Sequence, residues 1–176
     1  MGFLEEEAAQ RQLEEEYGRA KKRAMYLLGA RDYSTAALRE KLLNNYCEET
    51  ADRVIADMKH YGFLDDENYA KKLAAYLIKT KKYGLYQAKA KMRQKGVEPA
   101  LIEEALREYE KEDYVEQLIA LIRKKYSQKI ADPDDRRRTI AALVRRGYGF
   151  SEVKEAVGTV LREMSESFDD EFDYYE

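Results

Sequence analysis

The feature of this sequence that most constrains its fold is an internal repeat. Leu42, Met92 and Leu143 occupy equivalent positions about fifty residues apart. Each lies in a segment with helical apolar periodicity, which is followed by a short break and a second segment with apolar residues on one face. Self-similarity at a period of this length is typical of arrays of supersecondary units, so the pattern predicts helical repeats.

Glycines mark the ends of the middle segments. Gly96 and Gly147 follow the middle segment of the second and third repeats, where a left-handed residue commonly ends a helix. In the first repeat, Asn45 is predicted to take the place of the helix-ending glycine. Each repeat also has a leading segment with apolar residues at three- and four-residue spacing, at 24–28, 69–77 and 115–126. The sequence therefore predicts three helices in each repeat.

We therefore predict an all-α fold made of three tandem three-helix repeats. Each unit is helix-turn-helix-like, and the repeats are expected to stack into an elongated curved body with an extra N-terminal helical segment. A charged content of 38% with only two prolines agrees with long amphipathic helices. The predicted boundaries are an acidic helical extension at 1–16, repeats at 17–64, 65–111 and 112–164, and an acidic tail at 165–176.

Side chains that can cap helices indicate where several of them begin. Ser34, Asp65 or Asp66, Asp132 and Ser151 are predicted to accept hydrogen bonds from first-turn amides. The run of acids at 65–67 lacks the glycine-turned spacing of a calcium loop, so it favours a helix start over a metal site.

Catalytic chemistry is not indicated. His60 is the only histidine, and no nucleophile stands at a helical offset from it. The glycines are isolated turn residues rather than a phosphate-binding loop. Cys47 is the only cysteine, which excludes an internal disulfide and a cysteine-built metal site. We predict no enzyme activity, no cofactor and no metal.

The sequence also constrains the cellular location of the protein. No apolar run is long enough to cross a membrane, and the acidic segment 1–7 does not resemble a signal peptide. We expect a cytoplasmic protein and a monomer.

One segment concentrates positive charge. Residues 68–97 contain nine lysines and arginines, no acid, and four interleaved tyrosines. Such a block favours binding to an acidic partner surface or to phosphates, whereas the alternative is a solvated helix face with tyrosines in the core. A smaller basic group follows about one period later. The candidate binding residues from these groups are Lys81, Lys82, Tyr83, Lys89, Lys91, Arg93, Lys95, Arg145 and Arg146.

Several stretches resemble the signatures of RecX regulators. They are Asp65–Ala70, Lys82–Gly84, Arg93–Val97 and Arg145–Tyr148, within a resemblance that extends over residues 16–162. The resemblance implies three three-helix repeats and a partner, RecA on single-stranded DNA, whose ATP hydrolysis and strand exchange the protein inhibits without catalysis of its own. It thereby implies a role in recombination, DNA repair and the SOS response. It implies partner contacts by Lys82, Tyr83, Arg93, Lys95, Arg145, Arg146 and Tyr148.

Two positions depart from the family pattern. Leu85 follows Gly84 where many relatives have proline, and Ala37 replaces the acid expected three residues after Ser34.

The main alternative function is direct nucleic-acid binding by a helix-turn-helix repeat protein. We also consider weak binding to single-stranded or duplex DNA in addition to the RecA partner. The third helices begin with acids such as Glu48, Glu98 and Glu152, which disfavours base readout. The third hypothesis is a general helical scaffold without specificity for a recombinase.

Overall fold

The periodic segments of the sequence become helices throughout the part of the chain that the computed structural model describes, residues 2–109 and 112–172. Those residues contain no strand, and they form three helices for each repeat, which confirms the all-α class and the three three-helix repeats. The helices are α1 (Gly2–Ala30), α2 (Thr35–Leu43), α3 (Glu48–His60), α4 (Asp66–Ala75), α5 (Leu85–Gln94), α6 (Pro99–Leu106), α7 (Glu112–Ala131), α8 (Pro133–Arg145) and α9 (Phe150–Phe172).

Two helices end in irregular turns. A π-helical turn at Tyr76–Thr80 continues α4, and a 3-10 turn at Arg107–Tyr109 continues α6. The π turn matters for the site described below, because Lys81 follows it directly.

Side-chain caps confirm three of the predicted helix starts. Ser34 Oγ, Asp65 Oδ1 and Asp132 Oδ1 each accept a hydrogen bond from a backbone N–H two or three residues further on, at 2.9 to 3.2 Å. The prediction for Ser151 is wrong, because this residue lies inside α9. The Glu152 carboxylate caps α9 instead, accepting from the backbone N–H three residues earlier at 3.1 Å.

The helix-ending glycines behave as predicted, with φ of +75° at Gly96 and +92° at Gly147. The prediction for Asn45 is wrong, because Lys82 is the only non-glycine residue with positive φ in the described part of the chain. The N–H groups of Asn45 and Tyr46 both donate to the Leu42 carbonyl at 3.0 Å, so α2 closes without a left-handed residue.

The helices form two compact units that divide the middle repeat. The first unit comprises the chain up to Leu73 together with Met92–Ile102, and the second comprises Ala74–Lys91 together with the chain from Glu103 onward. In the first unit, Leu38, Leu42 and Met58 are fully buried among α1, α2 and α3. The core of the second unit lies among α7, α8 and α9.

The acidic start of the chain contributes contacts to the first repeat. Helix α1 continues without a break past residue 16. Glu16 Oε1 accepts a hydrogen bond from Cys47 N at 2.7 Å, and Arg53 pairs with Glu14 at 2.6 Å. Since Cys47 provides no side-chain cap for α3, Glu16 supplies a partner for an amide at the start of that helix.

Candidate partner-binding surface

Two of the signature stretches, one from the second repeat and one from the third, meet in the second unit. The N–H of Gly84 donates to the Arg146 carbonyl at 2.8 Å, and the N–H of Tyr86 donates to the Gly147 carbonyl at 3.1 Å. We call these paired segments, residues 81–86 and 145–148, the interlock. Backbone bonds between the segments mean that neither loop takes its conformation alone.

Glycine is required at both contact points of the interlock. A Cβ atom added at Gly84 would lie 2.1 Å from the carbonyl carbon of Gly147, and one added at Gly147 would lie 2.3 Å from Gln87 N. These neighbours are backbone atoms, which cannot rotate out of the way. Gly147 therefore both ends α8 and allows the close approach of the two segments.

Side chains of the third repeat bind the backbone of Lys81 and Lys82, which we call the lysine loop. Arg146 Nη2 donates to the Lys81 carbonyl at 2.9 Å and Arg146 Nε to the Lys82 carbonyl at 3.4 Å. Tyr148 Oη donates to the same Lys82 carbonyl at 3.2 Å. Lys82 has a φ of +54°, a left-handed conformation that is uncommon for a lysine.

A tyrosine pair supports the interlock from the core of the second unit. The rings of Tyr114 and Tyr148 stack with their centroids 5.7 Å apart, and Tyr114 Oη accepts a hydrogen bond from Leu85 N at 3.0 Å. Burial raises the pKa of Tyr148 to about 12 and raises the pKa of Tyr114 further. Sequence reasoning missed Tyr114, although it directly precedes the predicted leading segment of the third repeat.

The predicted contact residues within the interlock differ in accessibility. Lys81, Lys82, Arg145 and Arg146 are exposed. Tyr83 is half-buried, with the Arg146 guanidinium carbon 5.7 Å from its ring centroid. The remaining predicted contact, Tyr148, is only 6% exposed. The structure therefore gives its side chain a place in the core, from which it could not touch a partner unless it were uncovered.

Most of the other lysines in the basic segment have partners outside it. Lys89 forms an ion pair with Glu103 on α6, and Lys79 lies 5.6 Å from the ring centroid of Tyr109. Lys91 is half-buried and also makes contacts. The segment is therefore better compensated in three dimensions than its sequence indicates. By contrast, six exposed candidates make no ion pair with any residue that the structure describes, namely Lys81, Lys82, Arg93, Lys95, Arg145 and Arg146.

Arg93 and Lys95 belong to the first unit. Lys95 borders a cleft of about 290 Å³ that is also lined by Arg31, Tyr33 and Tyr69. Its carbonyl accepts a hydrogen bond from Ser34 Oγ at 2.7 Å, so the backbone is held while the side chain is exposed.

Within residues 2–109 and 112–172, no cluster of three or more histidine, cysteine, aspartate or glutamate residues is arranged to hold a metal ion. No helix in the same part of the chain combines the length and apolar character needed to cross a membrane.

Family models match each repeat separately. The first three-helix domain of RecX matches residues 20–58, the second matches 65–106, and the third matches 112–157. The chain belongs to the RecX family. The interlock thus joins the second and third RecX domains, because one of its segments lies in each matched range.

Individual RecX proteins agree with this assignment. Regulatory protein RecX of Trichlorobacter lovleyi is 34% identical over 130 residues, covering 71% of this chain and 84% of that protein. Regulatory protein RecX of Prosthecochloris aestuarii is 32% identical over 145 residues, covering 81% and 94%. The crystal structure of RecX from Lactobacillus salivarius has a TM-score of 0.72 at 18% identity, covering 86% of this chain and 97% of that one, and supports the fold.

Proposed function

We propose that this chain binds the RecA filament on single-stranded DNA and inhibits its ATP hydrolysis and strand exchange. It would act in the cytoplasm as a monomer, without catalysis of its own, and so modulate recombination, DNA repair and the SOS response. The observation that carries the proposal is the match to all three RecX domains, in a chain whose relatives are named regulatory proteins.

The chemistry of the second unit supports a protein partner with an acidic surface. Lys82 and Arg145 are exposed cations without ion-pair partners among the described residues. Two large aromatic side chains of the same unit are also exposed, Tyr86 at 73% and Phe150 at 59%. Arginine and aromatic residues are enriched at protein interfaces, where they supply much of the binding energy.

The direct test is ATP hydrolysis by RecA from the same organism on single-stranded DNA. The protein is added first at substoichiometric and then at equimolar ratios to RecA. Inhibition at low ratios is the expected result, because a filament-level regulator acts on many subunits at once. Unchanged hydrolysis at saturation would contradict the proposal.

Direct binding to single-stranded nucleic acid is the second candidate. Exposed cations together with the exposed ring of Tyr86 also suit phosphates and base stacking. Binding through about four phosphates predicts a log-log slope of affinity against salt near −3, whereas a protein contact has no such requirement. Titration of labelled single-stranded DNA at several salt concentrations, without RecA, separates the two functions.

A further inference from the structure

Lys82 has a backbone conformation that the fold alone would assign to glycine. Its φ of +54° places it in the left-handed region, where an L side chain crowds the following carbonyl and glycine does not. It also follows the π-helical turn Tyr76–Thr80, after Lys81 N donates to the Tyr76 carbonyl at 3.0 Å. Unfavourable backbone geometry of this kind tends to occur where function needs a particular side chain.

The conformation of Lys82 is held from the third repeat. Its carbonyl accepts hydrogen bonds from Tyr148 Oη at 3.2 Å and from Arg146 Nε at 3.4 Å, and Arg146 also binds the preceding carbonyl. The lysine side chain contributes nothing comparable to the fold, because it is exposed and forms no ion pair with the described residues.

We propose that Lys82 is a direct contact to a carboxylate-bearing surface of the RecA filament, and that Arg146 and Tyr148 are positioning residues that set its backbone. This inference rests on the proposed function. It assigns Tyr148 and Arg146 a role through their hydrogen bonds to the lysine loop rather than through contact with the partner. It also explains why a lysine occupies a position where glycine would be more stable.

The contact role is tested with substitutions that separate charge from conformation. Lys82→Gly removes the cation and relieves the left-handed strain, whereas Lys82→Arg keeps the cation. Lys124→Gln is the matched control, since Lys124 is an exposed cation on α7 of the same unit. The measurements are the urea midpoint of unfolding and the concentration that half-inhibits RecA ATP hydrolysis.

We expect Lys82→Gly to raise the urea midpoint and to raise the half-inhibiting concentration about tenfold, as for loss of one interfacial charge contact. Lys82→Arg should stay within about threefold of the unsubstituted protein and Lys124→Gln within about twofold, because each retains the proposed contact. A stable Lys82→Gly protein that weakens inhibition separates function from folding, since a purely structural role would move both measurements together.

The positioning role is tested by coupling. Tyr148→Phe removes the hydroxyl bond to the Lys82 carbonyl but keeps a ring that can stack on Tyr114. Alone it should weaken inhibition by about threefold, and in the Lys82→Gly background it should cause no further weakening, because the two residues act through one contact. Arg146→Lys should retain more inhibition than Arg146→Met, because an ammonium group can still donate to the carbonyls and a thioether cannot.

The outcomes distinguish this inference from the proposed function. If the unsubstituted protein does not inhibit RecA, both are overturned. If it inhibits and Lys82→Gly inhibits as well as Lys124→Gln, the contact role of Lys82 and the positioning role that depends on it are overturned, and the proposed function stands. If Lys82→Gly weakens inhibition but Tyr148→Phe weakens it equally in both backgrounds, the positioning role is overturned.

Discussion

The close approach at Gly84 gives the sharpest prediction about stability. In a Gly84→Ala protein, the added methyl group would meet the carbonyl carbon and oxygen of Gly147 at 2.1 and 2.2 Å and Tyr148 N at 2.2 Å. Cβ atoms essentially never approach backbone atoms that closely, so the two segments of the interlock must separate. The conformation of residue 84 itself is not the problem, because its φ is not positive.

Separation of the segments removes the two backbone hydrogen bonds donated by Gly84 and Tyr86. A buried donor or acceptor left unpaired costs about 1–3 kcal/mol, so the loss of two such bonds should lower the free energy of unfolding by about 2–6 kcal/mol. Gly158→Ala is the matched control, because nothing lies within 4 Å of its Cβ position and it is inside α9 of the same unit. There alanine should stabilise the protein by about 0.5–1 kcal/mol.

Urea denaturation followed by circular dichroism at 222 nm measures both variants. Hydrogen exchange at the Tyr86 amide provides a local check, since this amide should lose protection in Gly84→Ala and keep it in Gly158→Ala. A Gly84→Ala protein within about 1 kcal/mol of the unsubstituted one, with the Tyr86 amide still protected, would refute the interlock.

Three further outcomes follow from the same structure. Gly147→Ala should destabilise the protein at least as much as Gly84→Ala, because steric overlap adds to a φ of +92°, and the same urea assay checks it. Burial raises the pKa of Tyr148 from 10.0 to about 12, so stability that is complete below pH 10 should be lost as pH rises towards 12. Unfolding at fixed urea, followed across this range, should depend less on pH in Tyr148→Phe. Glu16→Ala should lower the free energy of unfolding by about 0.5–2 kcal/mol through loss of the bond from Cys47 N, whereas Glu15→Ala, in the same helix, should change it little.

Local sequence signals predicted the helical framework well. The repeat spacing indicated three helices per unit, and caps at Ser34, Asp65 and Asp132 formed as expected. These predictions succeeded because each depends on residues within a few positions of one another. The predictions for Ser151 and Asn45 failed because other nearby groups, the Glu152 carboxylate and the Leu42 carbonyl, took these roles at the helix ends. Residue type alone does not reveal which of several nearby partners is used.

The site was harder to predict because its decisive contacts join residues on different helices, within a repeat or between repeats. Nothing in the local sequence pairs Lys89 with Glu103, and nothing marks Tyr148 as the donor to the Lys82 carbonyl. Composition identified the right loops, since positive charge and glycine are visible without a structure. It could not separate a side chain that faces solvent from one that fastens a neighbouring loop.

Two contacts between neighbouring repeats, which we call seams, are built alike around Gly96 in the first unit and Gly147 in the second. Lys95 precedes Gly96 as Arg146 precedes Gly147, and both carbonyls accept a cross-repeat hydrogen bond, from Ser34 Oγ at 2.7 Å and from Gly84 N at 2.8 Å. At both seams an added Cβ on the glycine would meet the start of a middle helix within 3 Å. The glycine therefore ends one helix and admits the start of a middle helix from the preceding repeat, which donates a hydrogen bond to the carbonyl of the residue before the glycine. The Lys95 side chain takes no part in this contact, so a change of charge there should leave the seam intact. Arg146 differs, because its side chain also donates to the Lys81 and Lys82 carbonyls, so its replacement should loosen the contact between the second and third repeats.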